Sequence, residues 1–395
     1  MGPEQTEDEL RFRAEVRAWL AESVDDAVRV GRNEPEPSRE AAWVAAEREW
    51  DRRLYAGGYA GLAWPQEYGG RGASVTFQVI FAEESARTEA PAGLSFLGRH
   101  LVGPPIMRHG TDEQKRRYLP PMLRGEEIWC QGFSEPNAGS DLAALQTTAT
   151  LDGDHWVVQG QKIWTSWAHY SDRMLLLART DPDAPKHKGI TAFLVDLRSP
   201  GIEIRPIRQL SGASGFNQEF FDSVRVPREN VLGPVNGGWD VAVTTLGHER
   251  AILNAGRHHA NIAHLRRAVE RHGSALRDGS PRATMLLERI GRAYAASRTL
   301  EYLQHRYVSG WASGLPPGPE GSLLRLTWSL AYQDAAEVAL EIIGPEAQIT
   351  SGPGAIDEGD WLYAFYEARS RTIAAGTAEI QKNVIAERML GLPRS

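Results

Sequence analysis

The sequence predicts an α+β multidomain protein. An N-terminal α-helical domain covers residues 1–127, a middle β-barrel or sandwich domain covers 128–238, and a C-terminal helical domain covers 239–395. Three observations lead there. The 395 residues exceed what one compact core normally serves. Apolar spacing changes from helical to β-rich and back to helical along the chain. Helices and strands are segregated, which is not the alternation of a doubly wound sheet.

Each element has a local reason. "TEDELRFRAEVRAWLAES" places Leu10, Val16, Trp19 and Leu20 at helical spacing, with acids at its start. "REAAWVAAEREWDRRLYAGG" is a second helix, ended by glycines. "GLAWPQEYGGRGAS" is a Gly/Pro-rich loop, and helices follow at Val75–Glu84 and around "DEQKRRYLPPMLRG", where Thr111 is placed to cap. In the middle, "TTATLDGDHWVVQGQKIWTSW" carries two β-rich runs around a DGD turn, and "RMLLLART", "GITAFLVDL", "GIEIRPI" and "EFFDSVRVP" add short strands. Beyond it, periodicity predicts helices over Trp239–His272, Ala283–Ser309, Leu323–Ile343 and Thr377–Leu390.

Composition narrows the function. Hydrophobic residues make up 42% and charged residues 24%, with a mean hydropathy of -0.40, as in a globular protein. Apolar runs such as Met174–Ala178 are too short to span a bilayer, so no membrane insertion is expected. The net charge of -7 speaks against a nucleic-acid partner. The start of the chain lacks the basic and apolar regions of a secretory signal, and a cytoplasmic location is expected. The single cysteine, Cys130, reads as a buried small side chain, and no metal site is indicated.

Four segments could carry chemistry. In "GFSEPNAGSDLAAL", small residues and Pro136 open the backbone beside the hydroxyls of Ser134 and Ser140; on composition alone an ordinary surface loop fits better. It is not a GxGxxG fingerprint. In "GQKIWTSWA", two tryptophans flank Thr165 and Ser166, suited to a planar ring or simply to a core. In "IAAGTAEIQKNVIAERMLGLP", Gly376-Thr377 precedes a helix, so Thr377 is a natural cap and nearby amides could polarise a carbonyl; a well-capped surface helix fits equally. In "TTLGHERAILN", Glu249 lies three residues after Leu246 and four before Leu253, which sets a carboxylate on an apolar helical face unless it is paired or used.

Taken together, "GLAWPQEYGG", "YLPPMLRGE", "FSEPNAGSDL", "GQKIWTSW", "FFDSVRVPRENVLG" and "AGTAEIQKNVIAERMLGLP" resemble the acyl-CoA dehydrogenase family in order and spacing over nearly the whole chain. The resemblance implies a C-terminal four-helix bundle, FAD, an acyl-CoA substrate and a tetramer. It places Phe133 and Ser134 along the flavin ring, Gly139 and Ser140 near the pyrophosphate and substrate, Trp164, Thr165 and Ser166 on the ring's other side, and Thr377 in the cofactor set. It implies α,β-dehydrogenation, with an electron-transfer flavoprotein as acceptor. The family usually sets its catalytic glutamate just before Gly-Thr, but here that position is Ala375. Members resembling isovaleryl- and long-chain-type dehydrogenases carry the base in a Glu-Arg pair on a C-terminal-domain helix, matched here by Glu249-Arg250. Glu249 is therefore the expected base, Arg250 a supporting residue, and the backbone of Ala375 and Gly376 the expected carbonyl holder.

Some expected cofactor contacts are altered. His272 precedes Gly273 where an aromatic is usual, Glu341 and Pro345 replace a glutamine and a glycine, and Tyr366 stands where an arginine is frequent. Such losses, with "LGHER", are similar to the base-bearing subunit of steroid side-chain dehydrogenases, so a heterotetramer with a homologous subunit stands beside a homotetramer. An acyl-carrier thioester could replace the CoA ester. A flavin monooxygenase or oxidase on the same fold, and a non-catalytic subunit, are the competing functions; Glu249 speaks against the first and the retained "SEPNAGSD" and "IWTSW" against the second. Small residues in Ala90–Gly103 leave room for a bulky acyl chain.

Overall fold

A computed structural model describes residues 5–28, 39–252, 257–312 and 318–393, with side chains except at 248–252, 257–258, 275 and 311–312. The chain divides into two compact units, each assembled from separated segments. Among the described residues no helix is long and apolar enough to cross a membrane.

One unit gathers residues 1–24, 74–90 and 250–395. It contains α1 (Glu7–Ser23), α3 (Val75–Thr88), α7 (Arg257–His272), α8 (Pro281–Ala312), α9 (Glu320–Ile343), α10 (Asp360–Arg371) and α11 (Ala378–Val384), the last continuing as a π-helical turn over Ile385–Met389. Helix α1 starts in a capping box of Thr6 and Glu9. Its buried row is Phe12, Val16 and Leu20, one residue per turn. Leu10, expected on that face, is 53% exposed; Phe12 takes the inward place and stacks on Phe77 at 4.5 Å. Arg13 and Arg17 reach the buried Glu84 of α3, and Arg13 also holds Glu83 at 2.9 Å. Leu265, Ala268, Ala293, Ala335, Val338, Ala339 and Trp361 form the core of α7 to α10. Small residues there allow close helix packing. Helix α10 has no counterpart in the expected set, because its apolar positions lie between polar residues in "DWLYAFYEARSR".

The other unit gathers residues 25–73 and 91–249. It holds α2 (Glu40–Ala56), α4 (Gly103–His109), α5 (Asp112–Leu123), most of α6 (Gly238–Ile252) and eight strands. The strands are β1 (Trp129–Gly132), β2 (Thr148–Asp152), β3 (His155–Ser166), β4 (Arg173–Arg179), β5 (Ile190–Asp196), β6 (Ile202–Ile207), β7 (Phe216–Pro227) and β8 (Val231–Leu232). They form one sheet in the order β6-β7-β3-β2-β4-β5-β8, with β1 parallel to β4. The DGD signal is a tight hairpin: Asp152 pairs with His155, and Gly153 takes φ +61. Cys130 is buried in the sheet core with Trp156, Phe193 and Phe221, and burial pushes its thiol well up, which removes it as a nucleophile. The expected Trp239–His272 helix appears as α6 and α7; residues 253–256 between them lie outside the described set. Thr111 caps α5 in a capping box with Gln114.

Candidate functional site

The segment after β1 is fixed by a buried ion pair. Lys162 of β3 is fully buried and donates to the carbonyl of Phe133 at 3.1 Å and to Glu135 Oε1 at 2.7 Å. The Glu135 carboxylate also accepts the amides of Gln146 (2.6 Å) and Thr147 (2.9 Å). One side-chain pair thus pins both ends of the 133–147 loop, and the amide of Ile163 bonds to the carbonyl of Ser134 at 2.9 Å. Burial works against the Glu135 charge, but Lys162 and the amides hold its carboxyl below the usual range. Burial lowers Lys162 to about 8. Held this way, Phe133 is buried, Ser134 is half-buried, and Gly139 and Ser140 are exposed.

The end of β3 is bulged. Pairing with β7 shifts register between Ile163 and Thr165, and Trp164 and Trp167 both take left-handed φ, +66 and +58. That backbone costs about 1 kcal/mol or more for a side-chain-bearing residue, and such strain concentrates at functional sites. Its effect is visible: Trp164 is turned out to 57% exposure, edge-on to Phe216, while Thr165 is turned in. The Thr165 hydroxyl meets Glu219 Oε2 at 2.6 Å, and its carbonyl accepts from Asn217 at 3.0 Å. Of the three expected ring-facing residues, Trp164 and the half-buried Ser166 are accessible, whereas Thr165 is engaged inside the sheet. Glu219 lies directly opposite Lys162 in the strand register, and burial raises its carboxyl to about 8.

The turn before α11 is the second assembly. Thr377 is the cap, accepting the amide of Ile380 at 3.2 Å. Ala375 and Gly376 take φ +57 and +86. The buried Arg325 of α9 donates to the carbonyls of Arg371 (3.0 Å) and Ala374 (2.7 Å). Gln381 donates to the carbonyls of Ala375 (3.0 Å) and Gly376 (3.1 Å).

Glu249 and Arg250 lie on α6, but their side chains are outside the described ones. Among the described side chains of this helix Val241, Ala242 and Thr245 are buried, and position 249 comes one turn after Thr245 in the chain. His109 of α4 meets the Thr244 hydroxyl at 2.9 Å, which anchors the helix before that turn. Behind the 91–103 segment, Asp51 of α2 bonds Arg99 at 2.6 Å and the amide of Ser95 at 2.8 Å, both buried. Among the altered positions, Glu341 is engaged by Arg289, and Pro345 opens a short 3-10 turn.

Reasoning from residue types missed Lys162, Glu135, Glu219, Arg325 and Gln381. The available signal was a charge embedded in an otherwise apolar motif: the lysine of "GQKIWTSW", the glutamate of "FSEPN" and the arginine of "SLLRLTW".

A helical–sheet–helical chain of this arrangement is a flavoprotein oxidoreductase in type. The chain belongs to the acyl-CoA dehydrogenase family: the family's N-terminal, middle and C-terminal domain models match residues 6–126, 130–224 and 236–390. It is 40% identical over 388 residues to acyl-CoA dehydrogenase IpdE1 of Mycobacterium tuberculosis, covering 98% of this chain and 99% of that one. Among solved structures, the Tcur3481-Tcur3483 steroid ACAD superposes with a TM-score of 0.87 at 31% identity, covering all of both chains. The ChsE4-ChsE5 complex from Mycobacterium tuberculosis superposes with a TM-score of 0.84 at 31% identity, again over all of both chains.

Proposed function

We propose that the protein is an FAD-dependent dehydrogenase that converts an acyl-CoA thioester to its trans-2-enoyl-CoA. The observation that carries the reading is the co-occurrence in the sequence of Ala375 before Gly376-Thr377 with Glu249 in the Glu249-Arg250 pair. The usual carboxylate is missing from one place, and a carboxylate is available at the alternative place. Glu249 takes the α-proton onto its carboxylate. The amide groups of Ala375 and Gly376 hold the thioester oxygen, which makes the weakly acidic α C–H removable. Arg250 supports this turn. Bound FAD would supply a two-electron acceptor for the β-hydrogen, so that with the α-proton on Glu249 the substrate would lose two electrons and two hydrogens. The residues present fit such a ring. The accessible Trp164 and the half-buried Ser134 and Ser166 offer an aromatic and hydroxyl surface, with the buried Phe133 behind it. Ser140 and Gly139 take the pyrophosphate side, Ser140 also reaching the substrate, and the Thr377 side chain completes the cofactor set.

A bulky, steroid-like acyl group and a heterotetramer with a homologous subunit are the preferred specifics. The relatives named as a steroid dehydrogenase and as a two-component complex support them, as do the altered contacts at His272, Glu341, Pro345 and Tyr366. Such a reaction belongs to lipid breakdown, with an electron-transfer flavoprotein as acceptor. Glu249→Gln tests the base: the variant is expected to keep its flavin and lose its bleaching by a panel of straight-chain and alicyclic acyl-CoAs. Bleaching at the normal rate would remove Glu249 from the mechanism. Flavin per chain, with and without a coexpressed homologue, tests the assembly.

A further inference from the structure

The turn from Ala374 to Thr377 is held from one side only. Its first three carbonyls are engaged by side-chain donors, and the fourth, Thr377 O, accepts the backbone amide of Gln381 at 2.9 Å. Ala374 O takes the Arg325 guanidinium, while Ala375 O and Gly376 O share the Gln381 amide. The amides of Ala375, Gly376 and Thr377, by contrast, have no acceptor among the described residues. Each of these amides belongs to the same peptide unit as one of the engaged carbonyls. A donor on the carbonyl oxygen draws electron density through the peptide group and makes its N–H a stronger donor, most of all when the donor is a cation in a low-dielectric place. Arg325 and Gln381 are 6% and 2% exposed.

The fit is specific. A Cβ at position 376 would sit 2.6 Å from Gln381 Nε2, so only glycine lets this amide rest on the turn. Gln333 of α9 fixes the preceding stretch through the Ala368 carbonyl at 3.2 Å and the Thr372 hydroxyl at 3.1 Å. Gln381 Oε1 is buried and has no donor among the described residues, which leaves it as an acceptor for a bound molecule.

We infer that Arg325 and Gln381 are positioning residues for thioester polarisation: they hold and polarise three successive peptide units whose N–H groups serve the acyl carbonyl oxygen. The inference rests on the acyl-CoA reading above. It also explains how a turn bearing Ala375 keeps its electrophilic function, since neither device uses the side chain at that position.

The test uses the flavin-loaded protein, with any subunit that copurifies, and 4-(dimethylamino)cinnamoyl-CoA as the probe. The absorption of this push–pull thioester moves to longer wavelength when its carbonyl is polarised. Wild type is expected to red-shift the bound probe. Gln381→Met, matched in shape, and Arg325→Lys, matched in charge, are expected to keep flavin content and thermal midpoint but lose at least half of the shift. With an active acyl-CoA, kcat is expected to fall about 10- to 100-fold, with KM within about twofold. A full shift in both variants would overturn the inference while leaving the dehydrogenase reading intact. A flavin-loaded wild type that binds the probe without any shift, and is bleached by no acyl-CoA, would overturn the reading and the inference with it.

Discussion

Replacing Glu219 by glutamine gives the sharpest test of the sheet interior. Glu219 is fully buried, meets Thr165 on Oε2, and has no partner on Oε1 among the described residues. The charged groups near it are Lys162, opposite on β3, and Glu135, which binds that lysine from the 133–147 loop; the buried thiol of Cys130 also senses its field. Burial lifts its carboxyl from the ordinary 4.5 to about 8. The sign follows directly. Between those values the native state keeps a proton that the unfolded state has released, so stability is fully present below pH 4.5 and is lost as pH rises through about 8. At about 1.4 kcal/mol per unit, the loss is at most about 5 kcal/mol; relaxation and water entry reduce it to about 2–3 kcal/mol. Glutamine fills the same space, keeps a hydrogen bond to Thr165 and never ionises. Thermal unfolding of both proteins from pH 5 to 8.5 is the assay. Glu219→Gln should gain on the wild type by about 2 kcal/mol across that range, which is about 4 °C or more for a unit of this size. Parallel pH profiles would refute the argument that Glu219 is held protonated by burial.

Lys162→Met should cost about 3–5 kcal/mol, because it strands a buried carboxylate and frees the Phe133 carbonyl; urea unfolding would measure it, and a loss under about 1 kcal/mol would contradict the clamp. Trp164→Ala removes a side chain that is 57% exposed, so the midpoint should stay within about 0.5 kcal/mol while flavin is lost more readily on dilution. Unchanged flavin retention would take Trp164 out of the cofactor surface. Thr377→Ala should cost about 1 kcal/mol through the lost cap, read as a lower thermal midpoint.

Much of this was legible because it is local. Thr111, Thr377 and the DGD hairpin could be placed from neighbouring residues, since caps and tight turns are decided within four or five positions. The ordered motifs carried the architecture and the list of candidate residues. What stayed hidden depends on partners far along the chain. Leu10 and Phe12 are equally good helix residues, and only the ring of Phe77 decides which faces inward. Thr165 shares its motif with the expected ring-facing residues, and only the Ile163–Thr165 bulge decides that it faces Glu219, 54 residues away. Arg325 reads as a helix charge in isolation; its role needs the Ala374 carbonyl, 49 residues further on.

The grouping of chain segments has a consequence for synthesis. Helices α1 and α3 leave the ribosome early, joined by Phe12 on Phe77 and by arginines on Glu83 and Glu84. The helices completing their unit begin only at residue 250. At ordinary elongation rates, the 160 or so residues between take roughly 8–30 s to appear. During that interval the second unit can finish folding from residues already made, whereas the α1–α3 pair waits with its apolar side open. Nascent chains stalled before residue 250 are therefore the form in which this protein most needs a chaperone.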